Sequence, residues 1–372
     1  MIVRRTLLGI AAVPLLLAQC GPSQCAPPPP PTSIEEAWTR FDGDLSGRLL
    51  GGGASAASVT VSLHGTPVHV AAYGKRLPWT SEPTEPGDRF RIASISKVIT
   101  AIVVLQLVEA GRVGLDDAVG WAIAEQVGAA PPDGRVAAIT VLQLLSHTSG
   151  LAPFESVVFG AAVSSCPAAA RQALAVPLAT TPGTAYRYAN LNYCLLGALV
   201  ERITGVPYEG AANAQLLAPL GISGMRLAGR NAVGGAEVFH WTRAGRNYME
   251  NLGPAGSWVA SSADVVAIID SLDAAKPGFH PLSPAMTEEM RRLAPFRPSP
   301  DRWYGLGLIC FVDGTWGHTG SLESAHAMVL HRPDGMTWSI LVSGDYPKET
   351  DDLRPIFDDV ITKAGVLPFL GL

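Results

Sequence analysis

The sequence predicts an α/β (α+β) fold, with a mainly antiparallel sheet of about five strands flanked by helices and a mostly helical second lobe. Three observations predict it. β-Rich runs gather near the two ends of the chain, at 59–63 and 68–73 and again at 306–311, 325–331 and 337–343. Between them, 94–110 is apolar on almost every side, the pattern of a buried central helix. The middle third, about 112–255, reads as short helices joined by Pro/Gly loops.

Composition narrows the class. The 372 residues include 39 Gly and 30 Pro, and only 16% are charged against 48% apolar, which excludes a disordered chain. A net charge of -5 lacks the basic footprint that nucleic-acid binding needs. No internal repeat is present.

In chain order, residues 1–19 have the layout of an export signal. Arg4 and Arg5 form a positive start, eleven apolar or small residues follow from Leu7 to Leu17, and Cys20 closes the run. Eleven residues are too few to span a bilayer, which takes about 20. Arg4-Arg5 resembles a twin-arginine signal, and Leu17-Ala18-Gln19-Cys20 resembles a bacterial lipobox with Gln19 at the place of a small residue. Residues 20–32 form a Pro-rich tether with five consecutive prolines. The folded domain is expected at 33–372. Loss of the leader with its two arginines would leave a mature net charge of -7.

A first helix is expected at 34–50, ended by Gly51-Gly52-Gly53. His64-Gly65-Thr66-Pro67 would turn the first two strands into a hairpin. Thr140-Val141-Leu142-Gln143 has capping-box form, so a helix is expected from there to about Gly150. Further helices are expected at 191–203 and 353–364. Arg332-Pro333-Asp334-Gly335 would connect the last two strands, and the sheet closes if the chain ends meet.

Chemistry concentrates in three motifs. There is no Gly-x-Ser-x-Gly elbow; Gly221-Ile222-Ser223-Gly224-Met225 comes closest. Neither His-Glu-x-x-His nor Cys-x-x-Cys occurs, so no metal or other cofactor is expected. Ser94-Ile95-Ser96-Lys97 opens the apolar helix, and its i, i+3 spacing puts the serine beside a lysine able to ease its deprotonation. The helix N-terminus adds N–H donors where an oxyanion would develop. Tyr188-Ala189-Asn190 supplies a phenol that works as a base only beside a cation such as Lys97. Asn190 can orient a carbonyl or hold the lysine. Gly317-His318-Thr319-Gly320-Ser321 stands just before a predicted strand, and the Ser321 N–H could complete an oxyanion hole with that of Ser94. Tyr186 and Tyr193 read as packing; Trp316 and Trp303-Tyr304 could be pocket wall or core.

Together these motifs resemble the serine penicillin-recognising family, which includes class C β-lactamases, DD-peptidases and family VIII esterases. Phe90-Arg91-Ile92-Ala93-Ser94, Leu144-Leu145-Ser146-His147-Thr148-Ser149-Gly150-Leu151, Pro182-Gly183-Thr184 and Tyr304-Gly305-Leu306-Gly307 are similar to family segments, and the resemblance extends over roughly 34–365. It implies a β-lactamase/transpeptidase-like fold. It also implies Ser94 as acylated nucleophile, Lys97 and Tyr188 as its activators, and Asn190, His318, Thr319, Gly320 and Ser321 as substrate-binding residues. His147 looks structural within that resemblance. The β-lactamases usually carry Lys-Thr-Gly where this chain has His318-Thr319-Gly320. An imidazole with ordinary pKa ~6.5 is mostly neutral at pH 7, which moves the expectation from β-lactams toward esters or amides without a carboxylate.

The expected function is therefore an exported serine hydrolase acting on a small ester, amide or peptide. A β-lactamase or D-alanyl-D-alanine carboxypeptidase is the first alternative, and a non-catalytic envelope binding protein the second. Lipid on Cys20 would tether it to a membrane at the cell envelope or periplasm. Four further cysteines remain: Cys25, Cys166, Cys194 and Cys310. Cys166 and Cys194 flank the segment leading to Tyr188, so a bridge between them would brace that loop.

Overall fold

The computed structural model describes residues 29–372, apart from 161–162, 230–234, 244, 247, 293–295 and 297–298. The export signal, Cys20, Cys25 and the tether up to residue 28 lie outside the described residues.

Helix α1 (Ile34–Gly52) starts at Ser33, whose side chain accepts the Glu36 N–H, and stops at Gly53 in the left-handed region. Strands β1 (Ala54–Leu63) and β2 (Thr66–Gly74) follow, turning through His64 and Gly65 at φ 49° and 77°. Short strands β3 (Phe90–Arg91), β4 (Arg226–Leu227) and β5 (Trp258–Ala260) build a separate sheet in the order β3–β5–β4. The last third supplies β6 (Arg302–Tyr304), β7 (Ile309–Phe311), β8 (Trp316–Leu322), β9 (Ala325–His331) and β10 (Met336–Gly344). The main sheet runs β2–β1–β10–β9–β8–β7–β6 and is antiparallel throughout.

The chain ends do meet, because β1 pairs with β10 from Ala54↔Gly344 to Leu63↔Met336. The main sheet has seven strands rather than the expected five. Strand β6 is only three residues long, and β8 reads Trp-Gly-His-Thr-Gly-Ser-Leu with no apolar alternation to announce it. The His318 motif stands just before the expected strand at 325–331, and itself lies inside the additional strand β8.

The alternation of β1 decides what covers the sheet. Val59 and Val61 enter a core with Phe41, Leu45 and Leu49 of α1 and Phe357, Val360 and Ile361 of the Leu353–Ala364 helix. Trp338 of β10 stacks on Phe357 in that layer, centroids 4.2 Å apart. On the opposite face Ser58 and Thr60 each meet Ser262 Oγ at 2.7 Å, and Ser62 donates to Asp270 at 2.6 Å. The larger core surrounds α2 (Ser96–Glu109), whose residues from Ser96 to Leu105 are all buried.

Two expected helices change at their ends. The expected helix at 94 begins as a 3-10 turn, Ala93–Ile95, with α2 proper starting at Ser96. The capping box of Thr140 and Gln143 is present, but its helix ends at Leu145. Beyond it, the carbonyls of His147, Thr148 and Gly150 receive the Arg187, Gly183 and Ala179 N–H groups of the next loop instead of helical partners.

Cys166 and Cys194 are joined in a disulfide, Cα atoms 5.5 Å apart, linking the Cys166–Leu174 helix to the Asn190–Thr204 helix. Cys310 is free and buried. Closing a loop of 28 residues contributes about 3–4 kcal/mol by loop-closure entropy. The paired substitution Cys166→Ala with Cys194→Ala is expected to lower unfolding free energy by about that amount, read from urea midpoints; an unchanged midpoint would refute it.

Candidate active site

Strand β8 passes close to the Ala93–Ile95 turn because Gly320 has no side chain; a Cβ there would overlap the Ile92 carbonyl oxygen. This approach places Thr319 and Ser321 beside Ser94 along one cleft. Ala93, just before the serine, is held at φ 48°, an uncommon conformation for a residue with a side chain.

Lys97 is completely buried in the first turn of α2. Its Nζ donates to Ser94 Oγ at 2.9 Å, to Asn190 Oδ1 at 2.8 Å and to the Ala255 carbonyl at 2.7 Å. An ammonium carries three protons, and here three acceptors stand around it. Tyr188 donates its hydroxyl to the same Ser94 Oγ at 2.9 Å, and Lys97 Nζ lies 5.0 Å from the Tyr188 ring centroid. Asn190 is the first residue of its helix, which fixes it one residue beyond the loop carrying Tyr188. The structure thus brings Ser94, Lys97, Tyr188 and Asn190 into direct contact. Such a cluster can deprotonate a serine and deliver the proton to a leaving group.

His318 is buried behind the cleft. Its Nδ1 donates to the Thr319 carbonyl at 2.5 Å and its Nε2 accepts the Tyr304 hydroxyl at 3.1 Å, so one neutral tautomer serves both partners. Burial, with the Lys97 charge nearby, pushes its pKa down to about 3. Burial likewise holds the Tyr304 phenol protonated, well above the ordinary range. His147 is also buried and held neutral, first by burial and then by the Lys97 charge.

The cleft encloses about 530 Å³ and is walled by Tyr186, Trp303, Tyr304 and Ile309 facing Ser94. Tyr186, read from sequence as packing, lines this cleft; Tyr193 is packing, fully buried with its hydroxyl on the Leu145 carbonyl at 2.9 Å. Trp303 and Tyr304 form wall and Trp316 is buried, which divides a group of aromatics that composition could not separate. Arg302, Asp351 and Ser299 also line the cleft, and Arg302 pairs with Asp351 at 2.8 Å. No local signal marks this pair, since a strand and a turn 49 positions apart bring it together. Among the described residues no group of three His, Cys, Asp or Glu side chains is placed to hold a metal ion.

Comparison with known proteins adds family and fold. The sequence model described as Beta-lactamase matches residues 41–362. Penicillin-binding protein 4 of Amycolatopsis lactamdurans is 34% identical over 185 residues, 49% of this chain and 46% of that protein. Esterase EstB of Burkholderia gladioli is 31% identical over 195 residues, with 49% and 48% covered. The chain spans between a third and a half of the length of the curated relatives it matches. The solved D-amino acid amidase of Ochrobactrum anthropi SV3 shares the fold, with TM-score 0.71 at 21% identity over 88% of this chain and 99% of that one.

The neutral histidines predict a direction for acid stability. His318 and His240 are held near about 3 against an ordinary 6.5, and His147 also lies well below it. Between those values the unfolded chain binds more protons than the native one, so stability falls as pH drops from about 6.5 toward about 3. Above that window these groups contribute no slope. His318→Asn should make the loss shallower across it, measured as urea midpoints against pH; an unchanged slope would show that His318 is not held neutral.

Proposed function

The chain belongs to the Beta-lactamase family, and we propose that it is an exported serine hydrolase that cleaves ester or amide bonds through an acyl-enzyme on Ser94. The observation that carries this reading is the convergence of Lys97 Nζ and Tyr188 OH on Ser94 Oγ, each at 2.9 Å, at the edge of the cleft. In its reactive form the Lys97–Tyr188 pair, which titrates as one unit, has already lost one proton to solvent, and Ser94 Oγ attacks the substrate carbonyl as its own proton passes to that pair. The carbonyl oxygen takes on negative charge between the N–H groups of Ser94 and Ser321. The same pair then protonates the leaving alcohol or amine, and later takes a proton from the water that releases the acid.

Cleft chemistry favours uncharged substrates. Three aromatic side chains offer apolar contact, and the third motif carries a neutral imidazole. Among the described residues lining the cleft, Arg302 holds the fixed positive charge, and Asp351 already neutralises it. A substrate carboxylate would have to displace Asp351. These features support esters or simple amides over β-lactams and D-alanyl peptides, all of which present a carboxylate.

An active-site phosphonate should label Ser94, and Ser94→Ala should abolish both labelling and turnover; hydrolysis surviving in that variant would overturn the mechanism. In the same assays short-chain aryl esters should be cleaved faster than a chromogenic cephalosporin, and the reverse ranking would favour the β-lactamase reading.

Export rests on the leader-like residues 1–19 and on a buried disulfide that suits an oxidising compartment. Lipid on Cys20 would anchor the enzyme at the envelope. Metabolic labelling with a tagged fatty acid should mark the full chain and be lost in Cys20→Ala; a protein that never takes the label is not a lipoprotein.

A further inference from the structure

Tyr188 must present its hydroxyl to Ser94 from a loop, and loop backbone has no ladder to hold it. The peptide N–H groups on either side of Tyr188 both end on one residue. Arg187 N–H donates to the His147 carbonyl at 2.8 Å, and Ala189 N–H donates to His147 Nδ1 at 3.2 Å. The His147 ring also lies against the Tyr188 ring, centroids 4.3 Å apart and tilted by 36°. Asn192 donates its amide to the same Nδ1 at 3.0 Å, and Ser149 orients that amide by donating to Asn192 Oδ1 at 2.5 Å.

We propose that His147 is the positioning residue of Tyr188, a clamp that grips the backbone on both sides of the tyrosine and backs its ring so that the phenol is aimed at Ser94 Oγ. This rests on the reading of Ser94 as the acylated nucleophile. Three properties make the clamp. The residue stands at φ 59°, which turns its carbonyl and its side chain toward the same loop. Its Nδ1 is an acceptor already holding two N–H donors, so it takes no proton from Ser94 and is no base. Its flat ring fills the space behind Tyr188, among Tyr193 and Tyr304. A neutral imidazole is required, since a proton on Nδ1 would face two N–H groups. Burial and the nearby Lys97 charge favour that neutral state. Displacing a reacting group by about 1 Å costs on the order of 10²-fold in rate, which sets the size of the effect.

A double-mutant cycle separates positioning from bulk packing. Rates of phosphonate labelling and of aryl-ester turnover are measured for the unaltered protein, His147→Ala, Tyr188→Phe and the double variant. His147→Ala should lower kcat and labelling by about 10²-fold with little change in KM. In the Tyr188→Phe background the same change should cost less than about threefold, because the hydroxyl it aims is gone. Equal costs in both backgrounds would overturn the proposal. His147→Asn tolerates the left-handed backbone and keeps an acceptor, so it should recover about tenfold of the loss. If His147→Ala does not fold, the cycle is read with His147→Asn. Hydrogen exchange at the Ala189 N–H is an independent readout, expected to quicken at least tenfold in His147→Ala. Unchanged exchange overturns the clamp. Unlabelled Ser94 in the unaltered protein, with exchange still quickened, would instead overturn the acyl-enzyme reading and leave the clamp standing.

Discussion

A lysine with no solvent exposure sits at the centre of this protein, and the surrounding structure is arranged around its charge. Leaving a buried ammonium without partners costs several kcal/mol, so Lys97 needs its acceptors as much as they need it. One acceptor is local, Ser94 one turn back, and two come from distant parts of the chain: Asn190 at a helix start and the Ala255 carbonyl before β5. One cation therefore ties the two halves of the helical region to the start of α2.

The backbone serves that convergence at several points. Gly197 lets the Asn190–Thr204 helix close against Pro254, where any side chain would overlap the proline ring. Gly253 packs on Cys166, whose disulfide partner Cys194 is one turn along the same helix from Asn190. Both non-serine acceptors of Lys97 thus belong to one braced unit. On the other side, Gly320 brings β8 against the serine turn, and the β1–β10 pairing sets the sheet to which β8 belongs.

Charge is kept sparse around the lysine. His147 and His318 are both neutral, and the phenol of Tyr304 stays protonated beside them. A second cation within this low-dielectric space would compete with Lys97 for the same negative charge. The cleft therefore meets a substrate with aromatic surface and neutral donors and acceptors, and its outer guanidinium is already paired with Asp351.

Much of the fold was legible because its signals are local. The apolar 94–110 segment, the Thr140 capping box and the hairpin turn at His64-Gly65 each depend on a few adjacent residues. β8 was not legible, because Gly, His, Thr and Ser mark a strand only where a neighbouring strand accepts their backbone groups. The chemistry of Ser94, Lys97, Tyr188 and Asn190 was readable as residue types at suggestive spacings. By itself the sequence determined those types, the two clusters of strands and the helical stretch between them. Tertiary structure alone decided that Ala255 offers its carbonyl, that Arg302 meets Asp351, that Tyr186 faces the cleft, and that His147 grips the backbone around Tyr188. Each of these is a contact between segments far apart in the chain. A carbonyl, a surface charge or a tyrosine carries no mark in the sequence of the partner that folding will bring to it.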